Sequence, residues 1–566
     1  MTIKKRKSLG ESLVEQKTIT DEQLKSAIQE SEKDGEPLRK TLVKLGLVSE
    51  DDICNFFEEQ LGIPRIDLRN YLIDPKILAM IPEALARKHV LMPLFKTGDT
   101  LTIATADPLN VVALDEIRIK TKSNIEPAVA TETEIRNAIN QYYGTGSSIE
   151  DIVKSIDMKT LAIEEEKEEI EPDKLRNMAE EAPIIKLVNL VIMQAIRDKA
   201  SDIHVEPEEE SLKIRFRIDG ILHEVSTIPK HLQAAVLSRM KIMSDLNIAT
   251  KRIPQDGRFR LKVENTQIDM RVSSLPTVHG ENIVMRLLDT SSILIGLSQL
   301  GFDEVNLERF KSLIVKPHGI ILVTGPTGSG KTTTLYSALN TINMPDKNII
   351  TVEDPVEYQL KGVRQSQINP KAGLTFANGL RSILRQDPDV IMVGEIRDLE
   401  TAEIAVQAAL TGHLVFSTLH TNDAPSSLTR LTDMGVEPFL ISSSVIGIIA
   451  QRLVRTICSA CKESYTPSPE AIKDVGVKLP EGGLKFYRGK GCKACKNTGY
   501  KGRIGIFEML TLNDKIRDMV LAKTSSSQIK HAAQEFGMKS LREDGIEKVL
   551  AGATTIDEVM RVTQMD

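Results

Sequence analysis

Tryptophan is absent from this 566-residue chain, and aromatic residues make up only 4% of it. That leaves no obvious base-stacking platform of the kind single-stranded nucleic-acid binders use. A basic excess is missing too: the formal net charge is -6, whereas a general nucleic-acid binder carries a surplus of Lys and Arg. No run approaches the ~18 uninterrupted apolar residues of a membrane span. Even the most apolar helical stretch, Pro183 to Ile196, is broken by Lys186, Asn189 and Gln194. Met1 to Arg6 is basic, but no apolar stretch follows it, so no secretory signal is expected. Cysteine is scarce, and four of the five residues fall into two Cys-x-x-Cys pairs. That spacing suits a metal site in a reducing compartment rather than a disulfide framework. The expectation is a cytoplasmic protein without a transmembrane segment or nucleic-acid partner, reaching a membrane only through other proteins. At ~150 residues per domain it holds three or four domains.

What is present centres on Gly325, Pro326, Thr327, Gly328, Ser329, Gly330, Lys331 and Thr332, followed by Thr333. Two glycines with four residues between them, then Lys and Thr, form a phosphate-binding loop pattern. Gly319 to Thr324 reads as a buried parallel strand and Thr333 to Ile342 as a helix, so the loop joins strand to helix. Backbone amides and the helix N-terminus would hold phosphate oxygens. Lys331 would reach the β- and γ-phosphates, and the Thr332 hydroxyl would ligate magnesium. A nucleoside triphosphate, ATP, is the expected ligand.

Three later segments alternate strand and helix as a doubly covered parallel sheet would. The strand Asn348 to Val352 leads to Glu353-Asp354-Pro355-Val356-Glu357. Asp389 to Val393 leads to Gly394-Glu395, and Leu414 to Thr418 leads to Leu419-His420. Ligands bind at the carboxyl edge of such sheets. Hydrolysis requires groups that activate water, hold hydrated magnesium and sense the γ-phosphate, and Glu357, Glu395 and His420 are the candidates. Glu395 joins Thr332 as a candidate magnesium-site residue. A non-hydrolysing scaffold would need Lys331 but not the rest.

Upstream, Leu9 to Val14 repeats as Leu38 to Val43, with Thr20 and Ser49 as matching helix N-caps. Ile66 to about Tyr143 mixes strands, including Thr100 to Ala104, with helices. Gly144 to Ser148 and the acidic run Glu164 to Glu171 read as linkers. From Ala182 to Asp289, strands at Lys213 to Ile218, Gln267 to Val272 and Ile283 to Leu288 carry several arginines. These form either a solvated face or, beside a triphosphate site, a charge-stabilising set. Cys458, Cys461, Cys492 and Cys495 suit a closed tetrahedral zinc site with a structural role. Cys54 reads as core. From Asn513 onward the chain is helical, an end cap or docking surface.

The blocks Gly325 to Thr332, Glu353 to Glu357, Asp387 to Asp398 and Thr411 to Thr421 resemble the Walker A, Asp-box, Walker B and His-box motifs of the secretion ATPase superfamily. Cys458 to Cys495, Gly502 to Glu508 and Ser540 to Gly545 continue the resemblance from about Ala182 onward. Pilus-extension members look most similar, type II secretion members next. Retraction members lack the long N-terminal region and the tetracysteine insert. The resemblance implies a RecA-like ATPase core preceded by a PAS-like α+β domain and an N-terminal helical and α+β module. It divides the chain into 1–143, an acidic linker 144–181, 182–289, and 290–566 with a zinc-binding insert at 455–500 and a helical region at 513–566. It further implies a homohexamer acting on an inner-membrane platform protein and other pilus machinery. Glu357 becomes the catalytic glutamate, Glu395 the Walker B glutamate, and His413 and His420 the His-box histidines. Arg217, Arg271 and Arg286 become arginines that reach a nucleotide. The tandem repeat is similar to a module that in some members binds cyclic di-GMP, although Lys17 and Arg39 stand where a stronger match carries Gly.

Overall fold

The 29-residue repeat folds as two helix pairs, Leu9–Glu15 with Asp21–Asp34 and Leu38–Lys44 with Glu50–Leu61. Each second helix opens on a reciprocal capping box, Thr20 with Gln23 and Ser49 with Asp52, each cap contributing about 1 kcal/mol. Leu13, Ile19, Leu42, Val48, Ile53, Cys54, Phe56 and Phe57 form the shared core. Lys17 adopts the left-handed backbone (φ 60°) that its repeat mate Gly46 adopts (φ 65°), so the turn survives the loss of glycine. Gly10 is different: a Cβ there would lie 2.5 Å from Leu24 Cδ1. Its repeat mate Arg39 instead reaches Asp107 at 3.1 Å.

The computed structural model describes residues 9–69, 71–143, 149, 152–153, 172–264, 266–289, 295–467 and 485–563. The expected linker stretches 144–148 and 164–171 lie outside them. The chain forms two compact units, residues 1–291 and 292–566. No described helix is long and apolar enough to cross a membrane.

In the first unit, a three-stranded sheet (Leu91–Thr97, Thr100–Thr105, Asn124–Val129) follows the repeat. A seven-stranded sheet then runs in the order Tyr71–Leu72, Gln255–Val263, Thr266–Thr277, Gly280–Asp289, Asp202–Pro207, Ser211–Ile218, Ile221–Pro229. Asp219 and Gly220, both at positive φ, make the expected hairpin turn. Alternate residues of Ser211–Ile218 are buried, and they share a core with the helices Ala182–Arg197 and Gln233–Met243. Lys241 is inside this unit, 1% exposed. Its ammonium donates to both Glu281 carboxylate oxygens (2.7 and 3.0 Å) and to the Thr250 carbonyl (2.7 Å).

The second unit is built on a sheet ordered Arg364–Gln367, Ile349–Glu353, Val390–Val393, Leu414–Leu419, Gly319–Thr324, Val445–Ile457, Tyr500–Thr511. All pairs are parallel except the last. Ile320 and Leu322 belong to one core and Ile321 and Val323 to another, so both faces are covered and the strand reads as a continuous apolar run. The helices Asp514–Leu521, Ser526–Glu535, Leu541–Leu550 and Ile556–Thr563 place Ile516, Ile529, Leu541 and Val559 in the first of these cores. They are part of the domain rather than an appended cap.

Lys241→Ala leaves the Glu281 carboxylate buried without its cation. Loss of one partner of a buried pair costs about 3–5 kcal/mol. Calorimetric melting should show the transition of the first unit markedly lowered, with that of the second unchanged.

Candidate functional site

The strand Gly319–Thr324 is buried along its whole length. At its end the Thr324 hydroxyl accepts a hydrogen bond from the Thr421 amide at 2.8 Å. The loop then turns through Gly325, Gly328 and Gly330, all at positive φ. A Cβ on Gly325 would stand 2.6 Å from the Gln451 carbonyl oxygen, and one on Gly330 2.8 Å from Gln451 Nε2. Only glycine fits both the backbone and the space. The helix Lys331–Ile342 starts immediately after Gly330, so its first amides face the loop. Thr334 Oγ1 donates to Gln451 Oε1 at 2.8 Å, pinning the first turn to the neighbouring strand. Lys331 Nζ donates to the carbonyls of Gly325 (2.7 Å) and Pro326 (3.2 Å). Burial brings its pKa down to about 8, Glu395 opposing and Arg452 adding to the shift.

Glu395 follows the strand Val390–Val393, its side chain 13% exposed. It pairs with Arg397, and its Oε2 lies 3.4 Å from His420 Nε2. His420 follows the strand Leu414–Leu419. Burial, then the charge of Lys331, lower its pKa below the ordinary histidine value, against the pull of Glu395. The imidazole is therefore neutral at neutral pH. Lys331, Glu395 and His420 thus converge at one edge of the sheet, in a form suited to holding phosphate and orienting water.

Glu357 lies in the loop after the strand Ile349–Glu353, its backbone amide donating to the Tyr336 hydroxyl at 3.3 Å. That hydroxyl also bonds Glu353, a residue with no role foreseen from sequence. Glu353 is 2% exposed and accepts from Thr351 and Gln365 as well. Burial pushes its pKa up. Its carboxylate is engaged in fastening the loop that carries Glu357.

The other His-box residue, His413, lies at the opposite end of the strand Leu414–Leu419 from His420. His413 precedes the strand that His420 follows, and its carbonyl accepts from the Gly319 amide at 3.2 Å. Its Nδ1 donates to the Ala408 carbonyl at 2.9 Å. Six residues of strand, at ~3.3 Å each, put His413 about 20 Å from the loop edge of its own chain.

The three arginines lie in the first unit, in one row across its sheet. Arg258, Arg271, Arg286, Asp202 and Arg217 are successive cross-strand partners. Asp202, 6% exposed, takes Arg286 Nε at 3.0 Å and Arg217 Nε at 3.6 Å. Arg258 was not foreseen, since its place in the row depends on strand register. Like charges set opposite one another are destabilising, and the row concentrates positive charge where an anion would relieve it.

The four cysteines of the double pair come together, their sulfurs all within 4.8 Å of one another. Sγ–Sγ separations are 3.9 Å (Cys458–Cys492), 3.8 Å (Cys461–Cys495) and 3.7 Å (Cys492–Cys495). A tetrahedron with Zn–S bonds of ~2.3 Å has edges of about 3.8 Å. Burial alone would raise the Cys495 thiol, but the backbone amides of Cys492 and Gly499 hold its thiolate, bringing it to about 6. The donor set fits a closed metal site. Cys54 is buried in the helical core, apart from this cluster.

A family model described as type II/IV secretion system protein matches residues 177–561. The chain belongs to this family of secretion ATPases. An MshEN domain model matches residues 61–149, which begin where the helical repeat ends. The chain is 46% identical to the type IV pilus assembly ATPase PilB of Myxococcus xanthus, over 99% of both chains. It is 47% identical to the type II secretion system protein E of Xanthomonas campestris pv. campestris, over 98% of both. The Legionella pneumophila ATPase DotB superposes with a TM-score of 0.51 at 21% identity, covering 67% of this chain and 95% of that one, and shares the fold. The family member is thus an ATPase with a RecA-like core, and its triphosphate is ATP.

Glu395→Gln should cut turnover at least about a hundredfold while ATP is still bound, because positioned acid–base groups contribute about 10²–10⁴ in rate. Lys331 is charged below its pKa of about 8 and neutral above it. Affinity for magnesium ATP, measured by calorimetry, should therefore be level up to about pH 8 and fall as pH rises further.

Proposed function

We propose that the chain is the cytoplasmic, hexameric motor that drives type IV pilus extension, acting on an inner-membrane platform protein and held at the membrane through such partners. The observation that carries this reading is the length of the match to the pilus assembly ATPase, which includes the N-terminal modules as well as the motor. Nearly equal identity to a type II secretion protein supports a second reading, a motor for pseudopilus assembly and protein secretion. Both use the same chemistry. Thr332, through its hydroxyl, and Glu395 would hold magnesium, which neutralises phosphate charge. Glu395 and Glu357 would orient or deprotonate water, and His420 would sense the γ-phosphate. Arg217, Arg271 and Arg286 would reach the nucleotide of a neighbouring subunit.

Cys458, Cys461, Cys492 and Cys495 would hold a structural zinc, with no open position for chemistry. The helical repeat, residues 9–62, would take cyclic di-GMP, with Lys17 keeping the required turn and Arg39 setting this chain apart. Metal analysis of purified protein should give about one zinc per chain, lost in the double variant Cys458→Ser, Cys492→Ser. Calorimetric titration with cyclic di-GMP should show saturable binding; its absence would leave the repeat a packing module.

Deletion of the gene, complemented with wild type or Lys331→Ala, distinguishes the two motors. Loss of surface pili with normal secretion, restored only by wild type, is the outcome for pilus extension. Lost secretion with intact pili would transfer the assignment to the type II system.

A further inference from the structure

Lys331 has a second cation beside it that no motif announces. The strand Val445–Ile457 runs parallel to the P-loop strand, with Ala450 opposite Thr324. Gln451 and Arg452 therefore continue alongside the loop itself. Their side chains leave on opposite faces of the strand. Gln451 is 2% exposed and packs inward, against Thr334 and Gly330. Arg452 is half-buried. Its Nη1 donates to the Gln451 carbonyl at 3.1 Å and lies 3.0 Å from where a Cβ of Gly325 would stand. Its Nη2 donates to the Asn422 carbonyl (3.0 Å) and to Asn422 Oδ1 (3.3 Å). The guanidinium therefore lies over the first glycine of the loop, held from two sides.

Sheet order gives this position a meaning. Glu395 and His420 extend from the strands on one side of the P-loop strand, and Arg452 from the strand on the other. The γ-phosphate must lie where Glu395, His420 and Lys331 converge, so the remaining phosphates lead away from them. Two neighbouring cations repel, and a phosphate between them turns that cost into charge-assisted hydrogen bonds.

We propose that Arg452 is a nucleotide ligand supplied by the same chain that supplies the P-loop, binding the phosphates that remain in ADP. Arginine suits the position because its planar fork of five N–H donors can serve several oxygens at once, those of the protein and those of a phosphate. The inference rests on the ATPase assignment and is independent of the choice between pilus and secretion.

The test is Arg452→Gln and Arg452→Lys in the full chain, with steady-state ATP turnover and calorimetric titration by magnesium ADP. A ligand for retained phosphates contributes equally to ground and transition states. Arg452→Gln should raise KM for ATP and Kd for magnesium ADP by a similar factor, about ten- to a hundredfold. The kcat should stay within about twofold. Arg452→Lys should fall between, and it decides the matter if the glutamine variant melts early. A reduced kcat with unchanged ADP affinity would overturn the proposal, leaving Arg452 as a tie for the Thr421–Asp423 loop. Unchanged KM and Kd would overturn it too. Wild-type binding of magnesium ADP in the same titration separates failure of this inference from failure of the nucleotide site itself.

Discussion

The edge that carries Lys331, Glu395, His420 and Arg452 depends on the register of one parallel sheet. Thr324 pairs with Leu419 on one side and Ala450 on the other, and Val352 pairs with Val393. Gly325, His420, Arg452 and Glu395 all follow within two residues of these positions, and Glu357 only slightly later. A slip of one residue would turn each strand over. Here that would exchange Ile320 and Leu322 with Ile321 and Val323 between two closed cores. Burial of such side chains is worth about 1.5–3 kcal/mol each, repeated over five central strands. That sum far exceeds the repulsion of two or three clustered cations, so the edge can hold Lys331 and Arg452 side by side.

The charges elsewhere divide by how they are kept. Lys241 and Glu281 are almost wholly enclosed, and every donor distance between them is short. Such a pair carries no leftover charge and fastens the end of a helix to a strand. The row from Arg258 to Arg217 is the reverse, four arginines in register with Asp202, which takes Arg286 and Arg217. Solvent keeps it tolerable, since Arg258 and Arg286 are exposed and exposed charges interact weakly.

What could be read from sequence followed the range over which the determining physics acts. The P-loop, the capping boxes at Thr20 and Ser49 and the paired cysteines are local, each set by residues a few positions apart. The strands at 319–324, 390–393 and 414–419 declared themselves because burial on both faces leaves almost no polar residue in them. Long-range facts were not legible in this way. Arg452 stands beside the P-loop only because residue 450 pairs with residue 324, a choice made by the whole sheet. Glu353 and Glu357 look alike in the string, yet one ends a strand facing a closed polar pocket and the other sits beyond it. His413 and His420 likewise stand at opposite ends of one strand, because the six residues between them are extended.

Register also explains where the cysteines fall. Cys458 follows the last residue of the strand Val445–Ile457, and Cys495 precedes the strand Tyr500–Thr511 by a short turn. These two strands pair antiparallel, and residues 458 to 499 connect them. Closing a loop of that length costs on the order of 3 kcal/mol in chain entropy. The Cys458 amide already bonds the Gly499 carbonyl at 2.9 Å, and a metal held by four sulfurs would close the loop at its base. The same strand carries Gln451 and Arg452 a few residues earlier. A clip at its end would help hold the strand against which the P-loop rests.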